Sequence, residues 1–231
     1  MSLLLQEHAI AMLSAGAYSA TVVNVNDPAS LNRVQVRVYN VDGATDQDGA
    51  VWARVAVPFA GSNRGAFFIP DVGDEVLVIY LSGDPRFPVV IGSMWNGHDK
   101  APDSIGGSGD SVDRWTITGK AGTKIAIIED STGPTIQFTT PGGISGKMTD
   151  SGSGSIEFAD ANGNSVRLDS SGVTVTAASQ VQVNASSVTI TAPSVTVDAA
   201  MTTFNGIVTC QVMQATTVIG TTYTPGAGNV W

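Results

Sequence analysis

Two histidines, His8 and His98, and one cysteine, Cys210, are the side chains of this sequence best suited to nucleophilic or metal chemistry. They stand far apart, and no Ser/His/Asp arrangement forms around them. A single cysteine excludes an intrachain disulfide and a multi-cysteine metal site within one chain. Within Ile207-Val-Thr-Cys-Gln-Val it reads as a small buried hydrophobe. The carboxylates offer little more. Glu129-Asp130, Glu157 and Asp160 flank Gly- and Asn-rich corners, whereas a glycosidase needs two carboxyls held across a sugar cleft. Asp160-Ala-Asn-Gly-Asn has some oxygen ligands of a calcium loop but neither the full series nor a terminal Glu. With no Gly-rich phosphate loop either, the sequence predicts no catalytic, cofactor or metal site and a protein that is not an enzyme.

The formal net charge of −9 and a pI near 4.4 argue against a passive nucleic-acid or anionic-membrane binder. Arg33, Arg37, Arg54 and Arg64 are scattered and read as solvated faces or subunit contacts. Trp52, Phe67, Phe68 and Trp95 have Asp71, Asp74 and Glu75 as sequence neighbours, whereas a base-stacking groove combines aromatics with positive charge. These four aromatics are therefore expected in a core or an interface.

What remains is a chain built to position itself against other chains. From Val173 to Trp231 there is no Lys or Arg and one carboxylate, Asp198. Val173-Thr-Val-Thr, Val181-Gln-Val-Asn, Val188-Thr-Ile-Thr and Val195-Thr-Val-Asp start at intervals of eight, seven and seven residues. Alternating β-branched residues predict strands with one buried face, and the short period predicts one strand plus one corner per unit. Such a unit cannot bury its own inner face and has to stack on neighbours. The pairs Val173/Val175, Val181/Val183, Val188/Ile190 and Val195/Val197 supply too little core for one chain, but three chains could line an axis with them. The expected class is all-β, ending in an intertwined trimeric β-helix.

The first half reads differently. Thr21-Val-Val-Asn-Val, Arg33-Val-Gln-Val-Arg-Val-Tyr, Trp52-Ala-Arg-Val-Ala-Val, Ala66-Phe-Phe-Ile-Pro, Glu75-Val-Leu-Val-Ile-Tyr-Leu and Pro88-Val-Val-Ile-Gly are short strands separated by Gly and Pro. Five or six strands in that space predict an OB-like barrel over 18–98. A Gly/Ser/Asp linker covers 99–113. A β-helical spike over 114–231 opens with Trp115-Thr-Ile-Thr, Lys124-Ile-Ala-Ile-Ile, Thr135-Ile-Gln-Phe, Ser155-Ile-Glu-Phe and Ser165-Val-Arg-Leu. Residues 1–17 have no basic n-region, and Glu7 and His8 interrupt the apolar run, so a signal peptide is not expected. Leu3, Leu4, Ile10 and Leu13 suggest an arm that docks on a partner.

The run Trp52-Ala-Arg-Val-Ala, Gly65-Ala-Phe-Phe-Ile-Pro-Asp-Val-Gly-Asp-Glu-Val-Leu-Val and Gly83-Asp-Pro-Arg-Phe-Pro-Val-Val-Ile-Gly-Ser-Met-Trp-Asn-Gly resembles the OB-fold domain of contractile-tail central spikes. That family includes phage baseplate spike proteins and the VgrG proteins of type VI secretion, and the resemblance covers about residues 18 to 98. It implies a homotrimeric structural spike that caps a tube or hub and pierces a target envelope. It further implies assembly in the bacterial cytoplasm into a virion or injection particle. The hub is expected to be a separate polypeptide, contacted by Leu3, Leu4, Ile10 and Leu13. Some relatives end in an iron-binding His-X-His motif; His8 and His98 lie far from that end, so no such metal is expected. Tyr223, Pro225, Val230 and Trp231, in the tip 220–231, are expected either to cap the last strands or to seat a separate PAAR-type tip protein. Other readings are a trimeric receptor-binding or depolymerase fibre, and an OB-fold nucleic-acid binder with a stalk.

Overall fold

In a computed structural model of the chain, residues 16–39, 49–107 and 109–222 are described. The expected hub contacts Leu3, Leu4, Ile10 and Leu13 and the tip residues Tyr223, Pro225, Val230 and Trp231 lie outside them. Two units divide at Gln180/Val181.

The first unit opens with five strands closed into a barrel: β1 (Ala17–Asn24), β2 (Val34–Val38), β3 (Val51–Val55), β6 (Glu75–Tyr80) and β7 (Pro88–Ser93), in the order β1-β2-β3-β7-β6. A small hairpin, β4 (Ala60–Gly61) and β5 (Arg64–Gly65), sits between β3 and β6. The ladders are antiparallel except β3–β7, whose parallel pairing closes the barrel. Register shifts at Val22/Asn24 and Leu77/Val78 supply the bulges that bend strands round so small a cylinder.

Alternation sends Ala20, Val22, Val34, Val36, Ala53, Val76, Val78 and Val90 inward as one core. A barrel of five short strands leaves room for Val and Ala, not for rings. Of the aromatic residues expected in a core or an interface, Phe67, Phe68 and Trp95 are exposed, so the barrel core does not hold them. The strand expected at Ala66–Pro70 does not form. Trp52 is half-buried beneath the Arg33 guanidinium, 5.7 Å from the ring centre. Arg33 in turn forks onto Asp27, with Nη2–Oδ1 at 2.7 Å and Nε–Oδ2 at 3.0 Å. Asp27 also accepts the backbone N–H groups of Ala29, Leu31 and Arg33. The Arg33 contact, first among these bonds, holds the Asp27 carboxyl well below the usual carboxylate range.

After a linking stretch, seven five-residue strands follow: β8 (Arg114–Thr118), β9 (Lys124–Ile128), β10 (Thr135–Thr139), β11 (Ser145–Thr149), β12 (Ser155–Ala159), β13 (Ser165–Asp169) and β14 (Gly172–Thr176). They pair in sequence order as one antiparallel meander. The turns use glycines in left-handed backbone, for example Gly143 with φ 83° and Gly163 with φ 86°. Residues expected to be a bare linker are tied to this sheet. Asp103 accepts bonds from Lys124 Nζ at 2.6 Å and Thr116 Oγ1 at 2.9 Å, and Arg114 lies 3.5 Å away.

The β-helix expected over 114–231 is not what the single chain forms. Residues 114–176 are the meander, and no strand is present among 177–222. In the second unit Val181, Val183, Val188, Ile190, Val195 and Val197 are exposed, as is Cys210, which was expected to be buried. The reason is geometric: a seven-residue repeat is one strand and a corner, so its ladder partner and its inner packing have to come from elsewhere.

Candidate trimer interface

The register of the seven-stranded sheet stacks one class of residue in two columns. Across the strands, Trp115 pairs with Ile127, Ile127 with Ile136, Ile136 with Met148, Met148 with Ile156, Ile156 with Leu168 and Leu168 with Val173. Two residues along each strand, the second column runs Ile117, Ile125, Phe138, Gly146, Phe158, Val166 and Val175. Because side chains alternate across a strand, all fourteen positions lie on one face. Not one carries a polar side chain. Six inter-strand steps of about 4.8 Å extend the columns for roughly 29 Å.

The other face is polar. Its middle column is Thr116, Ala126, Gln137, Lys147, Glu157, Arg167 and Thr174. Arg167 Nη1 donates to Glu157 at 3.0 Å and its Nε to Asp169 at 2.8 Å. Serine bonds and Arg167 hold the Asp169 carboxyl below the usual carboxylate range, the Ser171 hydroxyl contributing most. The sheet is amphipathic, with its charges on the face opposite the columns.

The apolar face is largely uncovered in the single chain: twelve of the fourteen positions have exposures from 38 % at Phe138 to 68 % at Val173, while Ile156 is half-buried and Gly146 is buried. Soluble proteins rarely leave so continuous an apolar patch in water. Covering a half-exposed side chain of this size gains on the order of 1 kcal/mol, and twelve of them make a strong drive to associate. The patch reaches the barrel. Ile117, Phe68 and Trp95 line a surface hollow at the junction, beside Lys120, whose ammonium bonds Asp71 in the barrel turn. That contact raises the Lys120 pKa and lowers that of Asp71.

Val173 and Val175, expected in a trimer core, end the two columns. The other six expected core positions lie in the second unit and on no ladder. Sequence reading missed the columns on β8 to β13, although a signal was present. Pairs of apolar positions two residues apart start at Trp115, Ile125, Ile136, Gly146, Ile156 and Val166, a spacing of ten or eleven residues that precedes the spacing of seven or eight. The strand β11 was missed because Gly146 and Lys147 break the apolar look of Ser-Gly-Lys-Met-Thr.

Of the carboxylates weighed for catalysis, Asp130, Glu157 and Asp160 are engaged in local structure. Asp160 accepts bonds from the backbone and side-chain amides of Asn162 and Asn164, which bring its pKa down to about 2, Asn164 contributing most. Asp130 accepts from Thr132, and His98 lies beside Asp99 at 3.1 Å.

Residues 18–95 match the type VI secretion system/phage-baseplate injector OB domain, and residues 135–206 match the phage baseplate V C-terminal trimerisation domain. The chain thus carries an OB domain and a trimerisation domain of the phage-baseplate V type. The trimerisation match begins at β10, takes in the rest of the columns and runs on through the short repeats, and it supports a homotrimer. The chain is 39 % identical over 62 residues to the type VI secretion system spike protein VgrG3 of Vibrio cholerae, covering 27 % of this chain and 6 % of the relative. Over 58 residues it is 36 % identical to VgrG1a of Pseudomonas aeruginosa, covering 25 % and 9 %. Over 60 residues it is 40 % identical to VgrG5 of the same organism, covering 26 % and 8 %. Each alignment spans less than a tenth of the curated relative.

Proposed function

We propose that this chain is the structural, non-enzymatic central spike of a contractile injection machine, acting as a homotrimer that caps a tube or hub and is driven through the target envelope. The observation that carries the reading is the unbroken pair of apolar columns on a sheet whose other face is polar. Three copies turning that face inward make a triangular prism with a dry axis and a charged exterior. Residues 181–222 repeat the same apolar pair at shorter intervals. There the three chains wind together, each supplying the ladder partners the others lack, as an intertwined β-helix. A shaft so wound has few free strand edges and no hinge. The stretch after Val173, with no Lys or Arg, also limits the cost of passing a bilayer.

In this reading the trimer is assembled in the bacterial cytoplasm and becomes part of a virion or injection particle. A hub protein stands on the barrel side. A cap or a separate tip protein lies beyond residue 222. The test is to assemble particles carrying Val188→Asp, which sets three charges on the axis. Intact particles with unimpaired envelope puncture would overturn the reading; loss of the shaft or of puncture, with the barrel still folded, supports it.

A further inference from the structure

The apolar surface does not stop where the sheet begins. Strand β8 is an edge of the seven-stranded sheet and opens both columns, with Trp115 and Ile117 exposed. Over this edge lies a hollow of about 440 Å³, in which Ile117 of the apolar face meets Phe68 and Trp95 of the barrel; Thr116, Lys100 and Lys120 line it too. Phe68 is 57 % and Trp95 70 % exposed.

Both rings are carried on fixed backbone. The residues on either side of Trp95 are pinned to Glu75: the Met94 N–H donates to its carbonyl at 2.9 Å, and Asn96 Nδ2 donates to its carboxylate at 2.8 Å. Asn96 Oδ1 in turn accepts the backbone N–H groups of His98 and Asp99. Ile69, next to Phe68, packs against the barrel core. The Lys120 ammonium bonds Asp71, which ties the turn between β8 and β9 to the barrel and holds the two walls of the hollow together.

Three observations fit a second copy of this chain as the occupant. The hollow continues the apolar columns through Ile117, and the trimerisation match takes in those same columns from β10 onward. Exposed Trp and Phe on a rigid frame are the side chains that most often anchor an interface, and a free strand edge invites cover from another chain. The cations do not oppose burial: the Lys120 charge is answered by Asp71 of its own chain, and the long stem of the exposed Lys100 can keep its ammonium in water.

Symmetry decides which part of the second copy arrives. If three copies are related by rotation about an axis along the columns, each residue keeps its height on that axis. The hollow of one copy then faces the same level of the next, where β8, the turn after it and the barrel loops stand, and not the lower strands of the sheet.

Resting on the trimer reading above, we propose that the subunit contact extends past the columns onto the barrel, with Trp95 and Phe68 as its anchors in the hollow over β8. Contacts between copies then hold the three barrels in place on the shaft, in addition to the linking stretch of each chain.

The experiment places the photo-cross-linking residue p-benzoylphenylalanine at Trp95, and in a second variant at Phe68, of the full chain. The comparison position is Phe87, 52 % exposed, which precedes β7 while Trp95 follows it, so the two stand off opposite ends of that strand. Products are read on a denaturing gel and by peptide mapping, and the mass of the unsubstituted chain is measured alongside. The expected products from Trp95 and Phe68 have the mass of two chains and join residues 66–72, 93–102 or 114–128 of the second chain, with this product lost at Phe87. With the unsubstituted chain at three-chain mass, products of one-chain mass only, attachment to any other part of the second chain, or an equal two-chain yield from Phe87 overturns the proposal and leaves the trimer standing. An unsubstituted chain of one-chain mass overturns the trimer reading itself, and the proposal with it.

Discussion

Phe138 and Phe158 lie with ring centres 6.1 Å apart and planes inclined by 40°, across a gap that only Gly146 leaves open. A Cβ built on Gly146 would stand 2.2 Å from Phe138 Cε1 and 3.0 Å from Phe158 Cδ1. The glycine in the column is therefore the seat of two rings, and the apolar face stays continuous through it.

Gly146→Ala is expected to displace Phe138 and destabilise the sheet by about 1–3 kcal/mol, the usual cost of overpacking. Phe138→Leu in the same background should recover part of the loss. Denaturant midpoints of the two variants check this, and an equal midpoint in both would contradict the packing described.

Faces should matter more than positions. Ile136→Asp puts a charge in the first column, whereas Gln137→Asp, one residue on, changes the polar column. The first is expected to abolish association and the second to leave it intact, as read by sedimentation velocity. Equal effects would show that the apolar face is not the interface.

The linking stretch should come loose in acid. Lys124, Thr116 and the Ser104 backbone N–H hold the Asp103 carboxyl well below its ordinary value of 3.8. A carboxyl lowered on folding lends stability that is full above its unfolded pKa and is lost as pH falls below it toward the folded value. Hydrogen exchange of residues 99–113 is expected to stay slow down to about pH 4 and to quicken below it. In Asp103→Asn it should be faster at neutral pH, with no such acid step.

Asp27→Asn removes the anion that organises the loop at 27–33. The Arg33 guanidinium then loses its partner over Trp52. A lower melting temperature and a shifted Trp fluorescence maximum are expected, with the core valines still protected from exchange. An unaltered melting curve would contradict the role given to Asp27.

Much of this architecture is legible in the residues. The alternation of Arg33-Val-Gln-Val-Arg-Val-Tyr and Glu75-Val-Leu-Val-Ile-Tyr announces strands, and their spacing announces a small barrel. What the pattern does not convey is size. Trp95 and Phe68 read as core or interface in a list of residues, and the pattern does not choose between them; the interior of a five-stranded barrel is filled by Val and Ala. The columns escaped reading for another reason. Each strand offers two apolar residues, unremarkable alone, and their meaning comes from the register that stacks seven such pairs. In the last third the local pattern is clear, but β-strand pairing is a relation between segments, and repeats of seven residues cannot supply it to themselves.

The central claim is that three copies share the apolar columns, and the absolute mass of the full chain in solution tests it most directly. Multi-angle light scattering should give three times 23.7 kDa, unchanged on dilution and in mild detergent. A mass of one chain, stable across concentration, would leave the columns in water and contradict the account.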